Sequence, residues 1–115
     1  MKLSEAVRKG CELTKPLRDE YIAYGAGGQL EACPLGAAWI AVRGPLQWEA
    51  PTQIEFDLKL YWNVLEERVP FAIDWGEEDV EEVAETTWLY FITELNDEYR
   101  WSRERIIQLL ENNGL

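Results

Sequence analysis

The stretch Thr52-Gln53-Ile54-Glu55-Phe56-Asp57-Leu58-Lys59-Leu60-Tyr61-Trp62-Asn63-Val64-Leu65-Glu66-Glu67 decides the fold class of this chain. Taken two residues at a time, Ile54, Phe56, Leu58, Leu60, Trp62 and Val64 alternate with mostly polar positions, as a half-buried strand does. Taken at the helical period, Ile54, Leu58, Tyr61, Trp62 and Leu65 share one face, and Thr52 with Glu55 spells a capping box. The run also exceeds the length of an average strand. Helix is the stronger reading, and because apolar residues then occupy much of its circumference, it is expected to be buried on more than one side.

Working towards the C-terminus, Val69-Pro70 ends this element, and Asp74-Trp75-Gly76-Glu77 offers a cap with an acid three residues on. The longest helix should follow: Val80, Val83, Ala84, Thr87, Trp88, Phe91, Ile92 and Leu95 keep helical spacing, Glu77, Glu78 and Asp79 fall in the first turn, and Asn96-Asp97 closes it. Ser102 is the expected N-cap of the last helix, with Trp101 and Ile106 arranged as a hydrophobic staple, Ile106, Ile107, Leu109 and Leu110 facing inward, and Asn113-Gly114 as the stop. The two helices make a hairpin.

Towards the N-terminus, Gly44-Pro45 ends a helix that Pro34 begins. Its residues Gly36, Ala37, Ala38 and Ala41 leave little bulk, so neighbours can approach closely around Trp39 and Val42. Before it, a short helix is expected after Pro16, with Leu17, Tyr21 and Tyr24 on one face, stopped by Gly25-Ala26-Gly27-Gly28. The first helix should be capped by Ser4 and bury Leu3, Ala6, Val7 and Cys11; Gly10 weakens it unless close packing needs the missing side chain. The expectation is a mostly α, single compact domain spanning residues 1–115, of five or six short helices ending in a helical hairpin.

Composition bounds the chemistry. The 115 residues include 47 % hydrophobic positions and six Trp, enough for a core, and no His. The lack of His removes Ser-His-Asp and Cys-His nucleophilic systems, His metal ligands and His pH switches. A net charge of −11 argues against direct binding of nucleic acid or anionic membrane. No apolar run of signal-peptide or membrane-spanning length occurs, so a cytoplasmic location is expected, with Cys11 and Cys33 as buried free thiols. A disulfide between them, or a Cys33 thiol activated by the following helix, is the alternative. The Gly25–Gly28 loop lacks a following Gly-Lys-[Ser/Thr], so it reads as a turn rather than a phosphate loop, and no cofactor is expected.

The segments Cys33-Pro34-Leu35-Gly36-Ala37-Ala38 and Leu95-Asn96-Asp97-Glu98-Tyr99-Arg100-Trp101-Ser102-Arg103-Glu104-Arg105-Ile106 resemble a pattern of small bacterial and phage proteins, C-x-L-G-A-A followed by L-N-D-x-x-x-W-[ST]-R-E-x-I. The opening Met1-Lys2-Leu3-Ser4-Glu5-Ala6 resembles theirs too, while residues 52–69 have no counterpart. Some of those proteins carry a Cys-Pro-x-Cys that this chain lacks, so the resemblance implies no metal site here, and it carries over no catalytic residues. Asn96, Asp97, Tyr99, Arg100 and Arg103 have two readings: capping chemistry, or a small polar recognition surface.

The most distinctive functional feature is acidic. Residues 66–85 hold nine carboxylates against Arg68 alone. Solvation of a Trp-rich domain accounts for such a run, but so does a docking surface for a basic macromolecular partner. On the second reading Glu77, Glu78, Glu81, Glu82 and Glu85 form the partner-binding surface, with Trp75 as an aromatic anchor. The alternatives are a phage-type inhibitor imitating nucleic-acid phosphates and an enzyme with a carboxylate-lined pocket. The sequence leaves homo-oligomerisation open.

Overall fold

The computed structural model describes residues 1–44, 50–70 and 85–115. In it the deciding stretch is helical. Helix α3, Pro51–Tyr61, is followed by a 3₁₀ turn, Asn63–Glu66. Ile54, Leu58, Trp62 and Leu65 are buried, whereas Phe56, Leu60 and Tyr61 are exposed. The strand-like alternation thus resolves into every second apolar residue facing the core at four-residue spacing. Two expectations are corrected: Tyr61 is not in the core, and the helix is buried along one face only. The capping box is absent as well. Ala50 is the N-cap with no side-chain bond, and Pro51, whose fixed φ suits the first turn, begins the helix. Glu55 is thereby free to bond elsewhere.

The other elements, in chain order, are α1 Leu3–Leu13, β1 Lys15–Pro16, β2 Ile22–Tyr24, β3 Leu30–Ala32 and α2 Pro34–Arg43 before α3, then β4 Arg68–Pro70, β5 Glu85–Thr87, α4 Trp88–Asp97 and α5 Arg103–Asn112. The mostly α domain with a closing helical hairpin is as expected. The β elements are not. In place of a helix after Pro16, β1 lies parallel to β3 and β2 antiparallel to it, giving a sheet of order β1-β3-β2. The Gly-rich loop is the β2–β3 turn, with Gly27 and Gly28 both at φ +78° and the Gly25 N–H donating to the Gln29 carbonyl at 2.7 Å.

The long helix expected from Glu77 is corrected at residues 85–87. They form β5, antiparallel to β4 with Val69 opposite Thr86, and α4 begins only at Trp88. Two β-branched residues, Thr86 and Thr87, favour the extended strand, and Thr87 caps the helix, its hydroxyl accepting from Tyr90 N–H. The Asp74 cap and the pattern from Val80 to Ala84 lie outside the described residues. Ser4 is not a cap either: Lys2 holds that position, and Ser4 is buried with its N–H bonded to the Leu115 carbonyl at 3.1 Å. Ser102, by contrast, caps α5 as expected, accepting from Arg105 N–H.

Among the described residues one hydrophobic core draws on all five helices, with Trp39, Phe91, Leu35, Leu58, Leu95 and Ile106 among its fully buried members. Trp39, Trp62 and Trp88 are buried as expected, while Trp48 and Trp75 lie outside the described residues. Helix α2 is its centre, bounded by Pro34 and by Gly44 at φ +83°. A Cβ on Gly10 of α1 would stand 1.8 Å from the Ala37 carbonyl oxygen of α2, and one on Gly36 would stand 1.9 Å from the Tyr21 carbonyl oxygen. Both glycines are therefore required by close approach. Across the core, the Trp39 indole N–H donates to Asp57 Oδ2 at 3.1 Å, and Gln53 donates to the other carboxylate oxygen at 3.0 Å.

Gly10→Ala would favour an isolated helix by about 1 kcal/mol. Here it is expected to destabilise the domain by roughly 1–3 kcal/mol in urea unfolding, because the added methyl meets backbone. A neutral or stabilising result would mean that α1 and α2 can separate at no cost. A second expectation concerns pH. The Trp39 N–H holds the Asp57 carboxyl below its ordinary value of 3.8; burial opposes this, and Gln53 and Arg43 assist it. A carboxyl depressed by folding contributes stability above 3.8 that is lost as pH falls through the lowered value. Asp57→Asn should therefore lower the urea midpoint at neutral pH, and its deficit should shrink in acid. A deficit constant down the acid limb would trace it to packing alone.

Candidate functional site

Four separate parts of the chain converge on one cleft. The β2 entry supplies Asp19, Glu20, Tyr21 and Ile22; the start of α2 supplies Cys33, Pro34 and Leu35; α3 supplies Pro51, Ile54 and Glu55; and α4 supplies Ile92, Thr93, Asn96 and Asp97. Its volume is about 290 Å³. Ligand sites commonly begin at about 300 Å³, so it suits a small group rather than a large cofactor.

Each wall has a local cause. Gly36 lets the Tyr21 backbone lie against α2, and Cys33 N–H donates to the Tyr21 carbonyl at 3.1 Å. That seats the Tyr21 ring against α3, where its hydroxyl donates to Glu55 Oε1 at 2.7 Å. At the α4 wall, buried Asn96 donates to the Leu17 carbonyl at 2.9 Å and to Asp97 Oδ1 at 2.8 Å, while Asp97 Oδ1 also accepts from Asp19 N–H at 2.9 Å. Asp19 adopts φ +69°, a left-handed conformation that Asp tolerates better than most residues and that the Asp97 bond helps hold.

The cleft is apolar within and acidic at its edge. Ile22, Cys33 and Ile54 are buried, Glu55 and Asp97 are half-buried, and Asp19 and Glu20 are exposed. Arg8 pairs with Glu104 and Glu111, and Arg43 with Asp57, so these ion pairs leave the four cleft carboxylates aside. Among the described residues no three His, Cys, Asp or Glu side chains come together as metal ligands. The carboxylates are dispersed around the opening.

Neither polar group on the walls is activated as a nucleophile. Burial pushes the Cys33 thiol up to about 12, and the opposing hydrogen bond from Gly36 N–H only partly offsets it. Burial, with the Glu55 bond second, also raises the Tyr21 phenol, which stays a hydrogen-bond donor. Both cysteines are free thiols as expected, Cys33 buried, but Cys11 is only half-buried rather than in the core. The helix start at Cys33 does not lower its thiol, because dehydration of a buried sulfur outweighs one helix terminus.

Of the residues singled out from sequence, Trp75, Glu77, Glu78, Glu81 and Glu82 lie outside the described residues. Glu85 begins β5 rather than continuing a helix. The Leu95–Ile106 motif is mainly structural. Arg103 donates to the Thr14 hydroxyl and carbonyl, both at 2.8 Å, and Arg18 donates to the Asn96 carbonyl at 3.1 Å. Asn96 and Asp97 are the residues of that motif that line the cleft. The sequence pattern places Tyr21 on a helix face and Glu55 in a capping box, and no local signal announces a hydrogen bond across 34 residues. No helix among the described residues is long and apolar enough to cross a membrane.

Comparisons with family models, with curated proteins and with solved structures return no match to this chain. At about pH 8, a thiol at the Cys33 value carries roughly 10³-fold less thiolate than an ordinary cysteine. Iodoacetamide should therefore alkylate Cys33 far more slowly in the folded protein than in the urea-unfolded chain. Comparable rates would reveal an accessible, activated sulfur.

Proposed function

We propose that the protein is a non-enzymatic interaction module that docks a basic macromolecular partner. The observation carrying this reading is the cleft itself: an apolar recess edged by Asp19, Glu20, Glu55 and Asp97, with no Lys or Arg among its lining residues. Concave apolar sites with a few fixed polar groups are where binding concentrates, and a negative edge selects a positive ligand. The net charge of −11 adds long-range attraction for a basic protein and repels nucleic acid. The acidic run from Glu66 to Glu85, including Glu77, Glu78, Glu81, Glu82 and Glu85, would contribute to that field, with Trp75 as an added anchor. A partner encountered in the cytoplasm fits this reading.

The test is selection from a random displayed peptide library on the immobilised full chain, with counter-selection on poly-glutamate to discard generic polycation binding. Recovered peptides should be enriched in Lys or Arg and bind more weakly as salt rises. Neutral or acidic binders, or none surviving counter-selection, would overturn the proposal. Displacement of a selected peptide by poly-lysine but not by duplex DNA is expected. A partner that also yields to DNA would instead point to imitation of nucleic acid.

A further inference from the structure

The shape of the cleft narrows what a basic partner would place there. Its interior is apolar and its acids stand at the opening, so a bare cation would gain the acids but leave the interior unfilled, and an aliphatic group would do the reverse. A lysine or arginine side chain satisfies both, having an apolar stem and a charged head. A volume of about 290 Å³ accommodates one such side chain, not a folded element. Hydrogen-bond capacity is available at the right place. Glu55 uses Oε1 for the Tyr21 hydroxyl and Asp97 uses Oδ1 for Asp19 N–H and Asn96, while Oε2 and Oδ2 make no hydrogen bond among the described residues. The Tyr21 and Asn96 bonds hold both carboxylates in place before any ligand arrives, which reduces the ordering cost of binding.

We infer that the cleft receives a single lysine or arginine side chain of the partner, its stem lying against Ile22, Cys33 and Ile54 and its head meeting the free oxygens of Glu55 and Asp97. This rests on the docking reading above and commits it to one site and one anchoring residue.

The test uses a peptide from the selection just described and the full-length protein, followed by methyl and amide chemical shifts. Binding should perturb Ile22 and Ile54, and replacement of peptide Lys by norleucine, or Arg by citrulline, should abolish binding at one position and change it little elsewhere. Glu55→Gln, whose carbonyl still accepts from Tyr21, should weaken the peptide about tenfold, as loss of a charge-assisted hydrogen bond does. Glu20→Gln, an exposed edge position, should weaken it less, and Glu5→Gln, equal in charge change but remote from the cleft, should not.

Shifts elsewhere, or equal losses from Glu5→Gln and Glu55→Gln, would overturn the cleft assignment while leaving a basic partner in place. Affinity spread evenly over several basic positions would overturn the single-anchor claim. Nα-acetyl-lysine N-methylamide binding as tightly as the peptide would show a site for a free amine, overturning the partner side chain as occupant. Absence of any basic binder would remove the docking reading itself.

Discussion

The structure depends on how closely backbone approaches backbone at α2. Two glycines set the distances, Gly10 against the Ala37 carbonyl and Gly36 against the Tyr21 carbonyl, and any Cβ at either position would meet main-chain atoms. With α1 seated on one side and the start of β2 on the other, Pro34–Ile40 of α2 become the buried centre of a small domain, and Trp39 fills the space its small neighbours leave. Dense packing around small residues is sensitive to single methyl groups because the main chain has no rotamer with which to yield. The same constraint builds the cleft, since Tyr21 reaches Glu55 only because Gly36 admits its backbone.

A second set of contacts ties the C-terminal hairpin to the N-terminal half. Arg103 reaches the end of α1, where Thr14 offers both hydroxyl and carbonyl, and adds a longer bond to Ala32 of β3. A guanidinium suits this position because its donors diverge in one plane and a helix C-terminus is rich in unpaired acceptors. Asn96 does the corresponding work for the loop before β2. A turn whose side chains are committed in this way has little left to offer a ligand. Asp97 is the exception, and it links this scaffold to the acidic edge of the cleft.

Electrostatics here separates into two kinds. Asp57 is a buried carboxylate answered by an indole, an amide and a guanidinium, so its charge serves the core. Asp19, Glu20, Glu55 and Asp97 surround an apolar recess, and Arg8 and Arg43 are engaged elsewhere. Charge of the second kind orients whatever arrives, more than it stabilises the fold.

Local chemistry by itself determined much of this protein. Ser102 and Gly114 bound α5, Pro34 starts α2, and Ile54, Leu58, Trp62 and Leu65 declare a buried helical face, all because caps and periodicity act within a few residues. The absence of His excluded whole classes of chemistry without a structure. Strands of two or three residues escaped because they are too short to display a period, and Glu85-Thr86-Thr87 continued a helical spacing that pairing with Arg68–Pro70 overrode. Thr52 and Glu55 fitted a capping box, yet Pro51 began the helix and Tyr21 took the carboxylate. Only the tertiary structure decided which acids meet at one cleft, for that depends on distances between backbones far apart in sequence, and side-chain spacing along a chain carries no record of them.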